Sequence, residues 1–327
     1  MVKPPRPSKF PPLDFSRIKT YAADSRPSKV NVADIGRPHR KGQSLARFLD
    51  TLPDILAART LKAIVADVVR ASRTGRPVIV GMGAHPIKVG LNPILIDLMK
   101  RGVISCLAMN GAGIIHDLEL ALVGKTSEEV EAGIETGSFG MARDTADLLN
   151  GAIVHGAKQG IGLGQAVGDL ISHGAFPYKN MSLLATGIRL GIPVTVHVAI
   201  GTDIIHMHPS ADGAAIGATS MADFKRLTSV VAHLNGGVYL NLGSAVLLPE
   251  VFLKALTIAR NLGHRVVDFT TVNMDFTQHY RPVTNVVRRP TQSGGRGYAL
   301  TGHHEIMFPL LAAGVIEALG KGKTKKV

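Results

Sequence analysis

The chain has 327 residues, of which 45% are hydrophobic, 19% charged and 5% aromatic, with one cysteine and a formal net charge of +13. This composition excludes a disordered chain, a collagen-like repeat and a disulfide-stapled scaffold. The sequence has no run of about 20 apolar residues, and its first residues lack the apolar core of a secretory signal, so we expect neither a membrane span nor export. Together with the single cysteine, these features favour a cytoplasmic location.

The positive charge is concentrated at the two ends of the chain. Residues 1–47 hold eleven Lys and Arg against three Asp, four lysines follow residue 320, and the rest is nearly neutral. The balanced body argues against specific nucleic-acid binding, which needs a basic stripe. We therefore predict a basic, proline-rich extension over 1–45, one domain over 46–320 and a basic tail over 321–327.

A repeated unit of short strand, glycine-rich break and amphipathic helix follows a helical segment over Ser44 to Ser72. Such alternation predicts an α/β fold, a single Rossmann-like parallel sheet with helices on both faces. A helical insertion over about 126–190 separates the second and third strands, and its glycines over 156–168 indicate either close helix contacts or a mobile lid. In chain order the predicted elements are the strand Pro77–Val80, the helix Pro93–Lys100, the strand Val103–Met109, the helix Ile114–Val123, the strand Pro193–Ile200, the strand Gly237–Leu240, the helix Glu250–Leu262, the strand Arg265–Val272 and the helix Gly302–Leu319.

The glycine-rich breaks all fall at the predicted carboxyl ends of strands, where parallel sheets bind ligands. Glycine lets a backbone approach a pyrophosphate closely, so several such loops on one edge favour a nucleotide site. The alternative is that they are tight turns between strand and helix. The predicted cofactor-binding residues are Gly81, Gly83, Asn110, Gly111, Gly113, Gly243, Ser244 and Asp275.

Ionisable side chains gather at the same strand ends. Imidazole takes up a proton near neutral pH, which makes histidines here candidates for proton transfer. The pattern of His206 and His208 also fits a metal centre, but helix caps and core histidines are the commoner explanation, and we predict no metal. The predicted catalytic residues are His116, Asp203, His206 and His303.

Three segments resemble deoxyhypusine synthase. The run Asn110-Gly111-Ala112-Gly113 is similar to that family's Thr-Ala-Gly-Gly loop, the stretch Ile192–Pro209 to its strand with an Asp-Gly loop, and the stretch Gly302–Leu311 to its last helix with Phe-Pro-Leu-Leu. The resemblance spans about residues 75–315. It implies a Rossmann-like domain that binds NAD, a small-molecule substrate, and a homotetramer with active sites between paired subunits.

The chain departs from that family at the catalytic lysine. After Arg281-Pro282 the family reads Ser-Trp-Gly-Lys, whereas this chain reads Val283–Pro290 and has no lysine between Lys254 and Lys321. The family's acidic pair is replaced around His116, and its paired histidines have no counterpart. The resemblance therefore implies a cofactor-binding fold with altered chemistry.

Four arginines, Arg281, Arg288, Arg289 and Arg296, are predicted beside the crevice, where guanidinium groups suit carboxylate or phosphate. Surface ion pairs are the alternative. The predicted substrate-binding residues are His208, His279, Arg281 and Arg288.

We therefore predict an NAD-dependent enzyme, an oxidoreductase or a redox-neutral group transferase, acting on a small, anionic or neutral substrate. Two alternatives remain open. One is a true deoxyhypusine or homospermidine-type aminobutyl transferase in which Lys88 replaces the missing lysine. The other is a nucleotide-binding sensor without turnover, whose basic tails contact an anionic partner.

Overall fold

A computed structural model of the protein describes residues 9–320. The predicted tail over 321–327 and the first eight residues of the predicted extension lie outside the described residues. Residues 9–44 carry three short 3-10 turns and no strand, and large apolar side chains such as Phe15 and Tyr21 are exposed there. None of the helices in the described range combines the length and apolar character that crossing a bilayer requires.

The domain is built on one sheet of six parallel strands in the order β3-β2-β1-β4-β5-β6. The predicted Rossmann-like α/β fold with a parallel sheet is thereby confirmed. In chain order, β1, β2 and β3 lie side by side in one direction across the sheet. The next strand, β4, pairs with the opposite side of β1. The strands are β1 Val78–Met82, β2 Cys106–Asn110, β3 Val194–His197, β4 Val238–Leu242, β5 Thr270–Asp275 and β6 Arg296–Thr301.

Helices cover both faces of the sheet. Alternate side chains of the strands therefore lie in two separate apolar clusters, one on each face. Val78 and Val80 belong to the larger cluster, while Ile79 and Tyr239 belong to the smaller one. In the smaller cluster the ring of Tyr239 stacks on Phe252, with ring centroids 3.7 Å apart. Strands buried on both faces read as continuous apolar runs, which is why β1 and β2 are recognisable in the sequence.

The helices alternate with the strands, and α6 to α9 form the insertion between β2 and β3. The predicted segment from Ser44 onward is two helices, because Pro53 interrupts it. The helices are α1 Leu45–Thr51, α2 Leu56–Arg73, α3 His85–Lys88, α4 Asn92–Lys100, α5 Gly111–Val123, α6 Val130–Thr136, α7 Arg143–Gln159, α8 Leu163–His173, α9 Leu183–Leu190, α10 Gly213–Val231, α11 Leu247–Asn261, α12 Tyr280–Pro282 and α13 His304–Leu319, with a π-helix at Val283–Arg288 between α12 and β6.

Two buried carboxylates attach the insertion to the rest of the domain. Asp117 accepts a 2.5 Å bond from the Ser182 hydroxyl and a 2.8 Å bond from the backbone N–H of Leu183, at the start of α9. Asp223 accepts from the backbone N–H of Gly164 at 2.8 Å. A Cβ atom at Gly164 would lie 1.9 Å from a backbone oxygen of β3, so this glycine serves a close contact.

The sequence predicts five strands, and the structure adds a sixth, β6, which begins at Arg296. Arg296 opens β6 at the amino end of the sheet, where its guanidinium lies 3.2 Å from buried Asp67. Thr270, at the start of β5, donates to the same carboxylate at 2.7 Å. The prediction that Arg296 lies beside a crevice at the carboxyl end is therefore wrong.

Candidate functional site

At β1 and β4 the chain reverses its direction across the sheet. In parallel α/β sheets ligands bind at the carboxyl edge beside such a reversal. Here the loops after β1 and β4 lie in contact, since a Cβ atom at Gly83 would stand 2.5 Å from the carbonyl oxygen of Gly243. The two loops remain tied to the sheet. Gly83 donates its backbone N–H to Leu242 at 3.2 Å, and Gly243 donates to Met274 at 3.1 Å.

A buried histidine, His304, lies at this crossover as the first residue of α13. Its Nε2 atom is 3.3 Å from the carbonyl oxygen of Met274 and 3.6 Å from Oδ1 of Asp275. Gly243 has a φ of +63°, and a Cβ atom there would lie 2.6 Å from Cε1 of His304. The glycine at position 243 is therefore required by the approach of the imidazole.

Three further rings surround His304. The ring of His85 lies 5.3 Å from the ring of His304, and the ring of Phe276 lies 5.9 Å from it. His303 stacks on Phe276 with an interplanar angle of 11°. We call His85, Asp275, Phe276, His303 and His304 the crossover cluster.

The protonation of His304 follows from its contacts. Nε2 donates to the carbonyl of Met274, which leaves the lone pair on Nδ1, and Nδ1 is buried with no hydrogen-bond partner among the described residues. Burial lowers the pKa of His304, while Asp275 and the carbonyl act in the opposite direction. The imidazole is therefore neutral at neutral pH and carries an unused proton acceptor.

The end of β4 is fixed by amide contacts beside the cluster. Asn241 donates through Nδ2 to the carbonyl of Ser244 at 2.9 Å and to Oδ1 of Asn273 at 2.7 Å. Ser244 accepts through Oγ from the backbone N–H of Leu248, in the first turn of α11, at 3.1 Å. Ser244, predicted to bind cofactor, thus has a structural contact through its hydroxyl.

The loop after β2, predicted as part of the cofactor cradle, is occupied by the protein's own groups. Asn110 accepts from the N–H of Gly113 at 3.2 Å, and a Cβ atom at Gly113 would lie 2.7 Å from the sulfur of Met109. At Gly111 the corresponding Cβ would lie 1.9 Å from Oδ2 of Asp203. Internal packing accounts for these glycines, and their predicted contact with a cofactor stays a prediction. Gly81 is also packed internally, against the hydroxyl of Tyr239.

Asp203 and His206, both predicted as catalytic, lie together beside the start of α5. Nδ1 of His206 accepts from the backbone N–H of Gly201 at 3.1 Å, so Nε2 carries the proton. That Nε2 lies 3.9 Å from Oδ2 of Asp203, and neither atom has a hydrogen-bond partner among the described residues. Burial raises the pKa of Asp203 to about 6 and lowers the pKa of His206.

The remaining predicted residues do not converge on one point. His208 bonds through Nε2 to the carbonyl of Gly140 at 2.8 Å, away from the ring of His206. His279 is exposed ahead of α12. Within residues 9–320 no three His, Cys, Asp or Glu side chains are arranged to hold a metal ion.

The arginines do not line the crossover as a group. Arg281 is ion-paired with Glu250, Nη1 to Oε1 at 2.9 Å. Arg288 is exposed and lies two residues before Pro290. The carbonyl of Pro290 accepts a hydrogen bond from Arg260, which lies in the last turn of α11. Since α11 starts at the carboxyl edge of the sheet, its last turn places Arg288 toward the opposite edge.

A cavity of about 810 Å³ also lies away from this edge, at the amino end of β3. It is lined in part by Gly162, Gly164 and Asp223. The carboxylate of Asp223 is already bonded to the backbone N–H groups of Gly164 and Val196, both at 2.8 Å. The cavity therefore offers no unused buried acid for chemistry.

The sequence does not single out His85, and it predicts His303, not its neighbour His304, as the proton-transfer residue at the crossover. His85 follows the glycine break after β1 directly, and that position is a signal that could have been used. His304 stands beside His303, the residue that the sequence predicts, and only the docking of α13 decides that His304 is buried and His303 exposed. His116 lies on α5, where Nδ1 is 2.6 Å from the hydroxyl of Thr126.

Comparisons with known proteins agree with this architecture. No family model and no curated protein matches the sequence. An Entamoeba histolytica protein assigned as a deoxyhypusine synthase superposes with a TM-score of 0.52 at 12% identity, covering 89% of this chain and 99% of that one. An LOR/SDH protein from Methanococcus maripaludis superposes with a TM-score of 0.50 at 18% identity, covering 81% of this chain and 71% of that one.

A mutant of AgrE, in binary complex with L-arginine, superposes with a TM-score of 0.51 at 17% identity. The match covers 83% of this chain and 35% of AgrE, so the chain spans about a third of AgrE's length. At these identities the likeness concerns the fold. The chain shares the Rossmann-like α/β fold of these proteins.

Proposed function

We propose that the protein is an NAD-dependent enzyme that acts on a small molecule at the crossover between β1 and β4. The observation that carries the proposal is His304, a buried neutral imidazole facing Asp275 at the point where Rossmann-like sheets bind ligands. A buried histidine with an unused acceptor, next to exposed rings, is a constellation typical of a reacting site.

The residues at the crossover fit a dinucleotide better than the loop after β2 does. Phe276 is half exposed and offers an apolar face to a flat ring, whereas Asp275 is buried and faces His304. Gly83 is packed against the Gly243 carbonyl and Gly243 against the His304 ring, so their contact with NAD stays a prediction. When bound, NAD supplies a hydride acceptor. At the loop after β2, by contrast, the carboxylate of Asp203 would repel a pyrophosphate.

In this proposal the chain's own residues orient the substrate and move a proton. His304 takes a proton at Nδ1 after the surrounding rings move to expose this buried atom, and Asp275 stabilises the imidazolium that results, since an adjacent carboxylate favours the charged ring. The crossover cluster also covers the reacting group with rings that limit access of water. The reaction is an oxidation or a redox-neutral group transfer, and assembly into a homotetramer is part of the proposal.

The resemblance to deoxyhypusine synthase and the shared fold support the use of NAD. The missing lysine argues for a substrate other than the polyamine of that family. Direct analysis of bound small molecules tests the proposal. Protein purified without added nucleotide is denatured, and the released molecules are identified by mass spectrometry. We expect NAD or NADH. Absence of both, together with no thermal stabilisation by added NAD⁺ or NADH, would overturn the proposal.

A second candidate, aminobutyl transfer, is favoured by one observation. Lys88 lies on the short helix α3, three residues after His85, whose ring belongs to the crossover cluster. Incubation with spermidine and NAD⁺ followed by borohydride would trap an imine on this lysine. A mass increase on the peptide containing Lys88 would support transferase chemistry, and an unmodified peptide would count against it.

A further inference from the structure

A cavity of about 300 Å³ opens between α10 and α11, beyond the carboxyl end of β3. Its walls are mainly apolar, with Ile216 and Phe224 contributed by α10 and Leu247 and Val251 by α11. No Lys, Arg, Asp or Glu of residues 9–320 lines it, and it shares no residue with the crossover cluster. The cavity is therefore a separate, uncharged space on the face of the sheet that α11 covers.

One buried imidazole, that of His197, is directed toward this cavity. His197 is the last residue of β3, is 3% exposed and belongs to the lining of the cavity. Side chains alternate along a strand, and Val194 and Val196 enter the larger apolar cluster on one face of the sheet. His197 and Thr195 therefore lie on the opposite face, toward α11, and the contact between their side chains agrees with this placement.

Only one nitrogen of His197 is used within the protein. Nε2 lies 3.0 Å from Oγ1 of Thr195, whereas Nδ1 has no hydrogen-bond partner among the described residues. Nδ1 is not among the unpartnered atoms that are sealed from the surface, so a ligand in the cavity can reach it. The hydroxyl of Ser220, which also lines the cavity, already donates to the carbonyl of Val196 at 3.2 Å and accepts from the N–H of Val198 at 3.1 Å. The cavity thus presents one unused polar atom.

The chemistry of the lining selects a neutral ligand with a hydroxyl group. Burial lowers the pKa of His197 to about 4, so its ring is uncharged at neutral pH. The hydroxyl of Thr195 can donate to Nε2 or accept from it, which leaves Nδ1 as an acceptor or a donor, and a ligand hydroxyl matches either state. A charged group would be buried against apolar walls without a counter-ion, which is costly. A volume of about 300 Å³ is the lower end for small-molecule sites and suits a single ring.

We propose that this cavity binds a small, neutral molecule with one apolar ring and one hydroxyl group, and that the hydroxyl bonds to Nδ1 of His197. The ring packs against Phe224 and the thioether of Met221, since both kinds of side chain make favourable contacts with aromatic rings. The site goes beyond the proposed function, because the cavity lies outside the crossover cluster and its ligand binds independently of NAD.

The first test fills the cavity, with p-cresol as the probe and methyl NMR of the full chain as the measurement. Gly217, on α10, lines the cavity, whereas Gly213, one turn earlier, does not, and a Cβ atom at either glycine meets nothing within 4 Å. We expect p-cresol to shift the methyl signals of Ile216 and Val251 in the wild type and in Gly213→Leu, and to bind at least about tenfold more weakly to Gly217→Leu. Equal affinities for the two variants would overturn the proposal. So would methyl signals that change with protein concentration and not with p-cresol, because a second copy would then cover the cavity.

The second test isolates the hydrogen bond to His197, with toluene as the counterpart of p-cresol that lacks the hydroxyl. The ratio of p-cresol affinity to toluene affinity should fall at least about fivefold from the wild type to His197→Phe, because only the hydroxyl loses its partner. An unchanged ratio would contradict the assignment of Nδ1. The comparison of Gly217→Leu with Gly213→Leu tests the cavity even where His197→Phe does not fold. None of these measurements involves NAD, so the site and the proposed function can fail separately.

Discussion

The carboxylate of Asp203 lies over Gly111 at the start of α5, so close that a Cβ atom at Gly111 would stand 1.9 Å from Oδ2. The backbone N–H of Ala112 donates to this carboxylate. Helix starts after strands of such sheets often bind phosphate. Here the protein places its own anion there, and for this reason we propose the crossover between β1 and β4, not this helix start, as the site of a dinucleotide.

Replacing Asp203 with Asn should change how stability depends on pH. Burial raises the pKa of Asp203 to about 6, against 3.8 for the free group. A raised acid pKa stabilises the folded state at low pH, and this contribution is lost as the pH rises through the folded-state value. Between pH 4.5 and 7.5 the wild type should lose about 2 kcal/mol relative to Asp203→Asn. Urea unfolding at both pH values measures the free energy of unfolding of each protein. If these free energies changed equally with pH in the wild type and in Asp203→Asn, the prediction would be contradicted.

Gly243→Ala should destabilise the protein more than Gly191→Ala. Both glycines have nearly the same φ, 63° and 65°, but a Cβ at Gly243 meets the His304 ring whereas nothing lies within 4 Å of one at Gly191. Gly191→Ala should cost about 1 kcal/mol for the left-handed backbone alone. Gly243→Ala adds the displacement of His304. Urea unfolding of the pair separates the two costs, and equal losses would show that the ring does not need the glycine.

The ion pair between Arg281 and Glu250 should contribute little to stability. Both side chains are partly exposed, 52% and 27%. We expect Arg281→Gln to cost less than about 1 kcal/mol, and the cost to shrink at high salt. Arg288→Gln is the matched control, since Arg288 is exposed in the same segment. A cost of several kcal/mol for Arg281→Gln, unaffected by salt, would contradict this view of the pair.

Two truncations test the predicted boundary of the N-terminal extension. Asp34 accepts through its carbonyl from Asp54 at 2.8 Å, and Arg37 donates its N–H to Thr51 at 2.9 Å. Removing residues 1–30 should leave the Tm nearly unchanged, because these bonds remain. Removing residues 1–43 should lower the Tm by several degrees, since each bond is worth about 1 kcal/mol. Equal Tm values for the two truncations would show that the contacts carry no stability.

The strands of the sheet's centre are predictable because they are buried on both faces, whereas β6 is not. The sequence of β6, Arg296–Thr301, has one β-branched residue and begins beside two glycines with positive φ, Gly294 and Gly295. Its pairing with β5 joins residues 26 positions apart, such as Thr270 and Arg296, and the anchoring of Arg296 by Asp67 joins residues 229 positions apart. No local pattern carries that information.

The same limit applies to the candidate site. The sequence predicts that histidines and carboxylates collect at the strand ends, and His304 and Asp275 do meet there. It does not predict that Asp203 covers Gly111, because the two residues meet only when β2 and β3 pair. Nor does it show that Thr126 bridges His116 and Glu119, because that contact depends on the loop after α5.

Calorimetric titration with NAD⁺ tests the central claim most directly, with the wild type, Phe276→Ala and Tyr280→Ala compared. Phe276 is half exposed within the crossover cluster, and Tyr280 is a 75% exposed ring four residues further along the chain. We expect the wild type to bind NAD⁺ and Tyr280→Ala to bind it with unchanged affinity. Phe276→Ala should bind at least about tenfold more weakly, because it loses a ring contact worth ~1.4 kcal/mol. Absence of binding by the wild type, or equal affinities for the two variants, would contradict the placement of NAD at this crossover.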